Sequence, residues 1–315
     1  MDIDMIRKEE FYFDSRDQKN KIHAVKWIPD VEKPVCIFQI VHGMAEHIDR
    51  YDAFARFLAG KGILVVGEDH LGHGKSVPEG GIYGYFCEED AANVLVRDVH
   101  RLKKIMQEQY PGVLYLILGH SMGSFILRNY LFRYGSGVNG AIIAGTGMQS
   151  KAALLTARTV TAVQKLFCGP KHVGKFIDKV SFGSFNDRFM PARTPYDWLS
   201  RETANVDRYM ADPMCGFIFT LNGFETLFRL IHNCYDVEKI ESMPKQLPIY
   251  LIAGADDPVG NYGKSIEKVY QSYKEHGMQN VQMKLYENDR HELLNETDRE
   301  QIYGDIYRWI LQRIA

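Results

Sequence analysis

Gly119-His120-Ser121-Met122-Gly123 forms a G-x-S-x-G between the apolar run 113–118 and the apolar stretch 125–131. A strand feeding a helix through such a turn strains the serine backbone and exposes its hydroxyl, while the flanking small residues let strand and helix approach closely. This is a nucleophile elbow, and Ser121 is the candidate nucleophile. A serine needs a base and the base an orienting carboxylate, which follow an elbow serine in the order acid, then histidine. The run 248–254 reads as a buried strand ending in Ala255-Asp256-Asp257-Pro258-Val259, so Asp256 and Asp257 compete for the acid role. A last alternating strand, 281–286, precedes a loop carrying His291. His42, His70, His73 and His120 also sit near this edge and read as structural hydrogen-bonding residues; only His291 has the required order.

The elements that must position these groups read as α/β throughout. Strands are expected at 9–13, 22–28, 35–41, 63–66 and 138–145, and helices at 50–61 and 88–109. Chemistry in open α/β sheets collects at the carboxyl ends of the strands, where distant residues can meet. The interval between the strand at 138–145 and that at 248–253 is far longer than an ordinary crossover. The reading is therefore a core of 1–149 and 234–315 with an inserted lid at 150–233.

Residues 151–232 hold eleven basic and seven acidic side chains, a net +4, so with −2 overall the remainder carries −6. The insert is also rich in phenylalanine, with Phe182, Phe185, Phe189, Phe217, Phe219, Phe224 and Phe228 either lining an acyl-sized pocket or packing the lid onto the core. The 315 residues, 45% hydrophobic and 25% charged, suffice for one large α/β domain with an insertion, and the net charge gives no case for nucleic acid. The first ten residues lack the pattern of a signal peptide and no run approaches membrane-spanning length, so a cytoplasmic protein is expected. Five dispersed cysteines without C-x-x-C spacing read as buried thiols rather than a disulfide or zinc framework.

An acyl-transfer intermediate places negative charge on oxygen, which two rigid backbone N–H groups stabilise. Met122, after the serine, is one candidate donor; Met44, in Val41-His42-Gly43-Met44-Ala45-Glu46-His47, is the other. Two motif-like segments are set aside. Leu71-Gly72-His73-Gly74-Lys75-Ser76 has Asp69 where a phosphate-binding loop needs glycine, and His42 to His47 has one residue too many for an inverted zinc-protease motif. No cofactor, metal or nucleotide is implied.

Together HGMAEHIDRY, DHLGHGKS, GHSMGS, GADDPVG and NDRHELLNE resemble the monoacylglycerol lipase and lysophospholipase group of α/β-hydrolases, in the serine-aminopeptidase-like branch. The resemblance covers nearly the whole chain, and RTPYDWLSRE followed by ADPMCGF is similar to bacterial lysophospholipases. It implies an α/β-hydrolase fold with a mostly parallel sheet, helices on both faces and a helical lid. It also implies a triad of Ser121, Asp257 and His291 with Met44 and Met122 as oxyanion donors, the family's usual glycine being replaced by Ser124. The implied activity is hydrolysis of carboxylic esters, monoacylglycerol or lysophospholipid above all; the lid's net +4 and its phenylalanines add an expectation of transient membrane-surface contact, and no obligatory protein partner is expected. Relatives include thioesterases and peptidases, so an aminopeptidase-like or thioesterase activity on the same triad is the alternative reading, and a non-catalytic protein holding a small apolar ligand is another.

Overall fold

The apolar runs assemble into one sheet in a computed structural model that describes residues 6–314. Its strands are β1 (Arg7–Asp14), β2 (Lys21–Ile28), β3 (Ile37–Val41), β4 (Leu64–Glu68), β5 (Tyr115–His120), β6 (Gly140–Ala144), β7 (Ile249–Gly254) and β8 (Val281–Tyr286). Their order across the sheet is β1-β2-β4-β3-β5-β6-β7-β8. The pairs β1/β2 and β2/β4 are antiparallel and every later pair is parallel. Every residue of β3, β4, β5, β6 and β7 is buried, which is why these strands read as continuous apolar runs.

The helices are α1 (Asp52–Ala59), α2 (Ala91–Gln109), α3 (Met122–Tyr134), α4 (Lys151–Cys168), α5 (Lys175–Phe182), α6 (Thr203–Ala211), α7 (Leu221–Asn233), α8 (Val237–Glu241), α9 (Lys264–Glu275) and α10 (Arg299–Ile314). Helices α2, α3, α7 and α9 share one apolar layer with the sheet, and α1 and α10 share the other. The expected helix at 50–61 is shorter because Ile48–Tyr51 winds as a tighter 3-10 turn before α1. The expected helix at 88–109 starts at Ala91, after Asp90 turns with φ 48°.

Between β6 and β7 lie α4 to α8. Helix α7 is built into the core: Thr220 caps it by accepting from the Gly223 amide, and Phe224, Leu227, Phe228, Leu230 and Ile231 are buried. Helices α4 and α5 bury only Leu154, Thr161 and Ile177. Phe219, Phe224 and Phe228 are packed into the core beside Phe86 and His73 or along α7, so this part of the phenylalanine set packs the insert onto the core. The thiols also divide: Cys36, Cys87 and Cys234 are buried, Cys215 is half-buried and Cys168 is exposed, against the expectation that all five are buried. Among the described residues no helix is long and apolar enough to cross a membrane. Residues 1–5 of the amino-terminal segment lie outside the described residues.

Candidate active site

Ser121 ends β5 and opens α3 with φ 54° and ψ −120°, a positive φ that a side chain other than glycine rarely adopts. Its amide donates to the Ala144 carbonyl at 3.0 Å, tying the turn to the end of β6. The glycines around it are steric necessities. A Cβ at Gly123 would lie 2.0 Å from the Val41 carbonyl, and one at Gly119 would lie 2.4 Å from the Gly123 carbonyl. Ser124 fits without strain because its hydroxyl turns back to donate to the Ser121 carbonyl at 2.6 Å.

Asp257 and His291 come from different loops and meet: His291 Nδ1 lies 3.0 Å from Asp257 Oδ2. The other carboxylate oxygen, Oδ1, accepts from the Val259 amide at 2.9 Å, so Asp257 is fully buried and oriented at both ends. Asp256 is half-buried, its backbone amide donating to the Asp289 carbonyl, and only Asp257 reaches the histidine. With Nδ1–H donated to a carboxylate, Nε2 keeps its lone pair and can act as a base. Gly254, where β7 ends, permits the approach, since a Cβ there would lie 2.1 Å from the Asp289 carbonyl. Gly145 borders the same space, a Cβ there falling 3.1 Å from His291 Cε1.

Met122 is the first residue of α3, so its N–H is among those with no acceptor inside the helix. The amides on either side of Met44 are both held: Gly43 donates to Glu46 Oε1 at 2.6 Å and Ala45 to His73 Nε2 at 3.2 Å. A Cβ at Gly43 would lie 3.0 Å from Ser121 Cβ, so this loop runs directly beside the serine.

The neighbouring histidines are structural. His42 Nδ1 donates to the Gly43 carbonyl and its Nε2 accepts from the His70 amide, while His70 Nε2 donates to the His42 carbonyl. Burial pushes His42 and His70 below the ordinary histidine value and takes His73 down to about 3, so all three are neutral. His120 differs. Burial alone would lower it, but the hydrogen bond and charge of Glu46 outweigh that and raise it; its Nε2 donates to the His291 carbonyl at 3.1 Å.

Sequence reasoning missed the contribution of the β6–β7 insert to this site. The Glu292 amide donates to the Leu199 carbonyl at 2.8 Å, and Arg290 donates to the Asp197 carbonyl at 2.5 Å. Trp198 sits with its ring 5.2 Å from that of His291, and Arg201 pairs with Asp289 and Asp298. At the centre of this junction Arg50 holds Glu292 in a bidentate pair at 2.5 and 2.7 Å, reaches Glu46 at 3.0 Å and Asn205 at 3.1 Å, and stacks 4.8 Å over Tyr209. The signal for Trp198 was present in RTPYDWLSRE, and for Arg50 in HGMAEHIDRY; neither string says what its residues touch.

Residues 32–298 match the model of the family described as serine aminopeptidase, S33. The human monoglyceride lipase is 29% identical over 92% of this chain and 86% of its own length. A monoacylglycerol lipase of Mycolicibacterium smegmatis is 25% identical over 91% of this chain and 92% of its own. Among solved structures, a thermostable carboxyl esterase from Bacillus coagulans, in complex with glycerol, superposes with a TM-score of 0.91 at 30% identity, covering 99% of this chain and all of that one.

Proposed function

The chain belongs to the serine aminopeptidase S33 family, and from that premise we propose that it is a serine hydrolase of carboxylic esters whose substrate is a monoacylglycerol or a lysophospholipid. Ser121 attacks the ester carbonyl, and His291 Nε2 takes its proton and returns it to the leaving alcohol. Water then attacks the acyl-enzyme, gives a proton to His291, and His291 returns it to Ser121 Oγ as the Oγ–acyl bond breaks and the acid leaves, while Asp257 holds the imidazole tautomer throughout. The N–H groups of Met44 and Met122 receive the oxyanion. The observations that support this reading are the buried 3.0 Å pair of Asp257 and His291 and the elbow serine held at φ 54°.

In the same reading residues 150–233 act as a lid with two jobs. The 197–212 segment backs the His291 loop, and α4 and α5 meet the lipid surface. The outer face supports that second job with Leu155, Val163, Leu166, Phe167, Phe176 and Val180, of which Leu166 and Phe167 are each 81% exposed. Of Lys165, Lys171, Lys175 and Lys179, the first is paired with Glu225 at 2.5 Å and the second lies 5.3 Å over Tyr85, so Lys175 and Lys179 are the two of these four left to attract anionic headgroups. The family's name makes aminopeptidase activity the alternative, but an excess of positive charge in the insert disfavours a substrate ammonium.

The test is Ser121→Ala, assayed on monoacylglycerols, nitrophenyl esters of graded chain length and aminoacyl nitroanilides. It should lose several orders of magnitude in ester turnover and all fluorophosphonate labelling with an unchanged melting temperature. Wild type should prefer medium-chain over acetyl esters, each buried methylene contributing about 0.8 kcal/mol. Retained ester turnover in the variant, or wild-type preference for nitroanilides, would overturn the reading.

A further inference from the structure

The segment from His42 to His47 contributes one imidazole that the catalytic arrangement does not use. His47 is buried, and its Nε2 lies 2.8 Å from Asp212 Oδ2 on the insert. Cys215 completes a cluster in which one ring nitrogen, one carboxylate oxygen and the sulfur all lie within 4.8 Å of one another. The backbone brings these donors together. The Gly216 amide donates to the Ala45 carbonyl at 3.0 Å, which sets Cys215 beside His47. Asp212 and Cys215 end a tight turn closed by the Cys215 amide donating to the Asp212 carbonyl at 3.0 Å. The Met214 amide occupies Asp212 Oδ1 at 2.8 Å, leaving Oδ2 turned toward His47.

We propose that His47, Asp212 and Cys215 bind a divalent transition-metal ion, Zn2+ foremost, which fastens the insert to the core loop that carries Met44. The donor set selects the ion. Imidazole, carboxylate and thiolate are the three ligand types of zinc sites, and three protein ligands leave a fourth position for water. Ca2+ and Mg2+ require oxygen donors throughout and are excluded by the sulfur and the ring nitrogen. Ligand atoms around a tetrahedral Zn2+ with bonds of about 2.0–2.3 Å lie roughly 3–4 Å apart, so the widest separation closes by about 1 Å, within reach of side-chain rotation. On binding, the Cys215 S–H proton leaves to solvent and sulfur donates as thiolate. The His47–Asp212 hydrogen bond gives way to two metal bonds: the Nε2 proton leaves to solvent and the neutral ring takes the tautomer protonated on Nδ1, freeing the Nε2 lone pair for the metal. This site differs from the protease-like reading of His42 and His47, since two of its three ligands come from the insert.

The test uses the full chain, stripped with EDTA and titrated with Co2+ and then Zn2+. Tetrahedral cobalt–thiolate absorption, with a sulfur-to-cobalt charge-transfer band, should saturate at one equivalent and be bleached by Zn2+. Cys215→Ser should abolish the charge-transfer band, while Cys168→Ser, at the exposed thiol, should keep it. His47→Gln and Asp212→Asn should each weaken Zn2+ binding more than tenfold. Zn2+ at a hundredfold excess over Kd should raise the wild-type melting temperature by about 5 °C and leave that of Cys215→Ser unchanged. If metal-free Cys215→Ser fails to fold, His47→Gln carries the same comparison. No charge-transfer band in wild type, or a band that survives in both Cys215→Ser and His47→Gln or vanishes in Cys168→Ser, would overturn the proposal. None of these readouts involves ester turnover, so they stand or fall apart from the catalytic reading.

Discussion

The inner segment of the β6–β7 insert and its outer helices obey opposite rules. Residues 197–212 are stitched into the His291 loop by Arg50, Glu292, Asn205, Arg201 and a series of backbone carbonyls, and the charged groups at the centre of that seam are nearly all partnered. The outer helices α4 and α5 are held by few buried residues and turn large apolar side chains to solvent. A buried charge network is stable only in one geometry, because separating any member leaves another charge desolvated and alone. Exposed apolar side chains make no such demand and gain free energy when something covers them. Under the proposed function the inner segment holds the geometry of the His291 loop, and the outer helices are the part free to meet a changing surface.

The sharpest way to break this contrast is at the buried acid. Asp257→Asn should reduce turnover by about ten-thousandfold by disturbing the His291 tautomer, while Asp256→Asn stays within about tenfold. Steady-state kinetics on a soluble ester check both, and a larger loss in Asp256→Asn would reverse the assignment of the acid. Next comes the centre of the seam. Arg50→Met leaves Glu46 and Glu292 buried without their cation and should cost about 3–5 kcal/mol in urea unfolding. A loss below about 1 kcal/mol would mean the seam is no stronger than a surface contact.

The same seam predicts a pH dependence of definite sign. Burial alone would raise Glu46 and Glu292, but His120 and Arg50 outweigh it for the first and Arg50 with Asn205 for the second, so both carboxyls end below the ordinary 4.5. Carboxyls depressed in the folded state contribute stability that is present above their unfolded value and lost as pH falls through the folded one. Melting temperature should therefore drop as pH falls below about 4.5, and Glu292→Gln should flatten part of that drop while costing about 1.5–3 kcal/mol at pH 7. Parallel pH profiles of wild type and variant would sink the claim. The smallest stability effect belongs to the outer face: Leu166→Ser with Phe167→Ser should change unfolding free energy by less than about 0.5 kcal/mol per site. Sedimentation with anionic vesicles should nonetheless weaken at least tenfold, because each side chain fully buried in lipid contributes about 1.5–3 kcal/mol. Unchanged vesicle binding would remove the outer face from the lipid encounter.

What the sequence determined by itself is local. The elbow was legible because G-x-S-x-G between a strand and a helix imposes one backbone turn, and the core strands because burial on both faces leaves only apolar residues. The order of serine, acid and histidine followed from the strands that carry them. Tertiary structure decided everything that depends on which loops meet. Asp256 and Asp257 are adjacent and chemically identical, and only the packing of the β7 loop against the His291 loop turns one of them to the ring. Phe224 and Phe228 became core while Phe167 stayed in solvent, because α7 lies on the sheet and α4 lies over α7. Arg50 opens the helix expected at 50–61, and its partners Glu292 and Asn205 arrive from 242 and 155 residues away. Pairings over such separations leave no periodic trace along the chain, since they are set by the global fold and not by the backbone preferences of neighbouring residues.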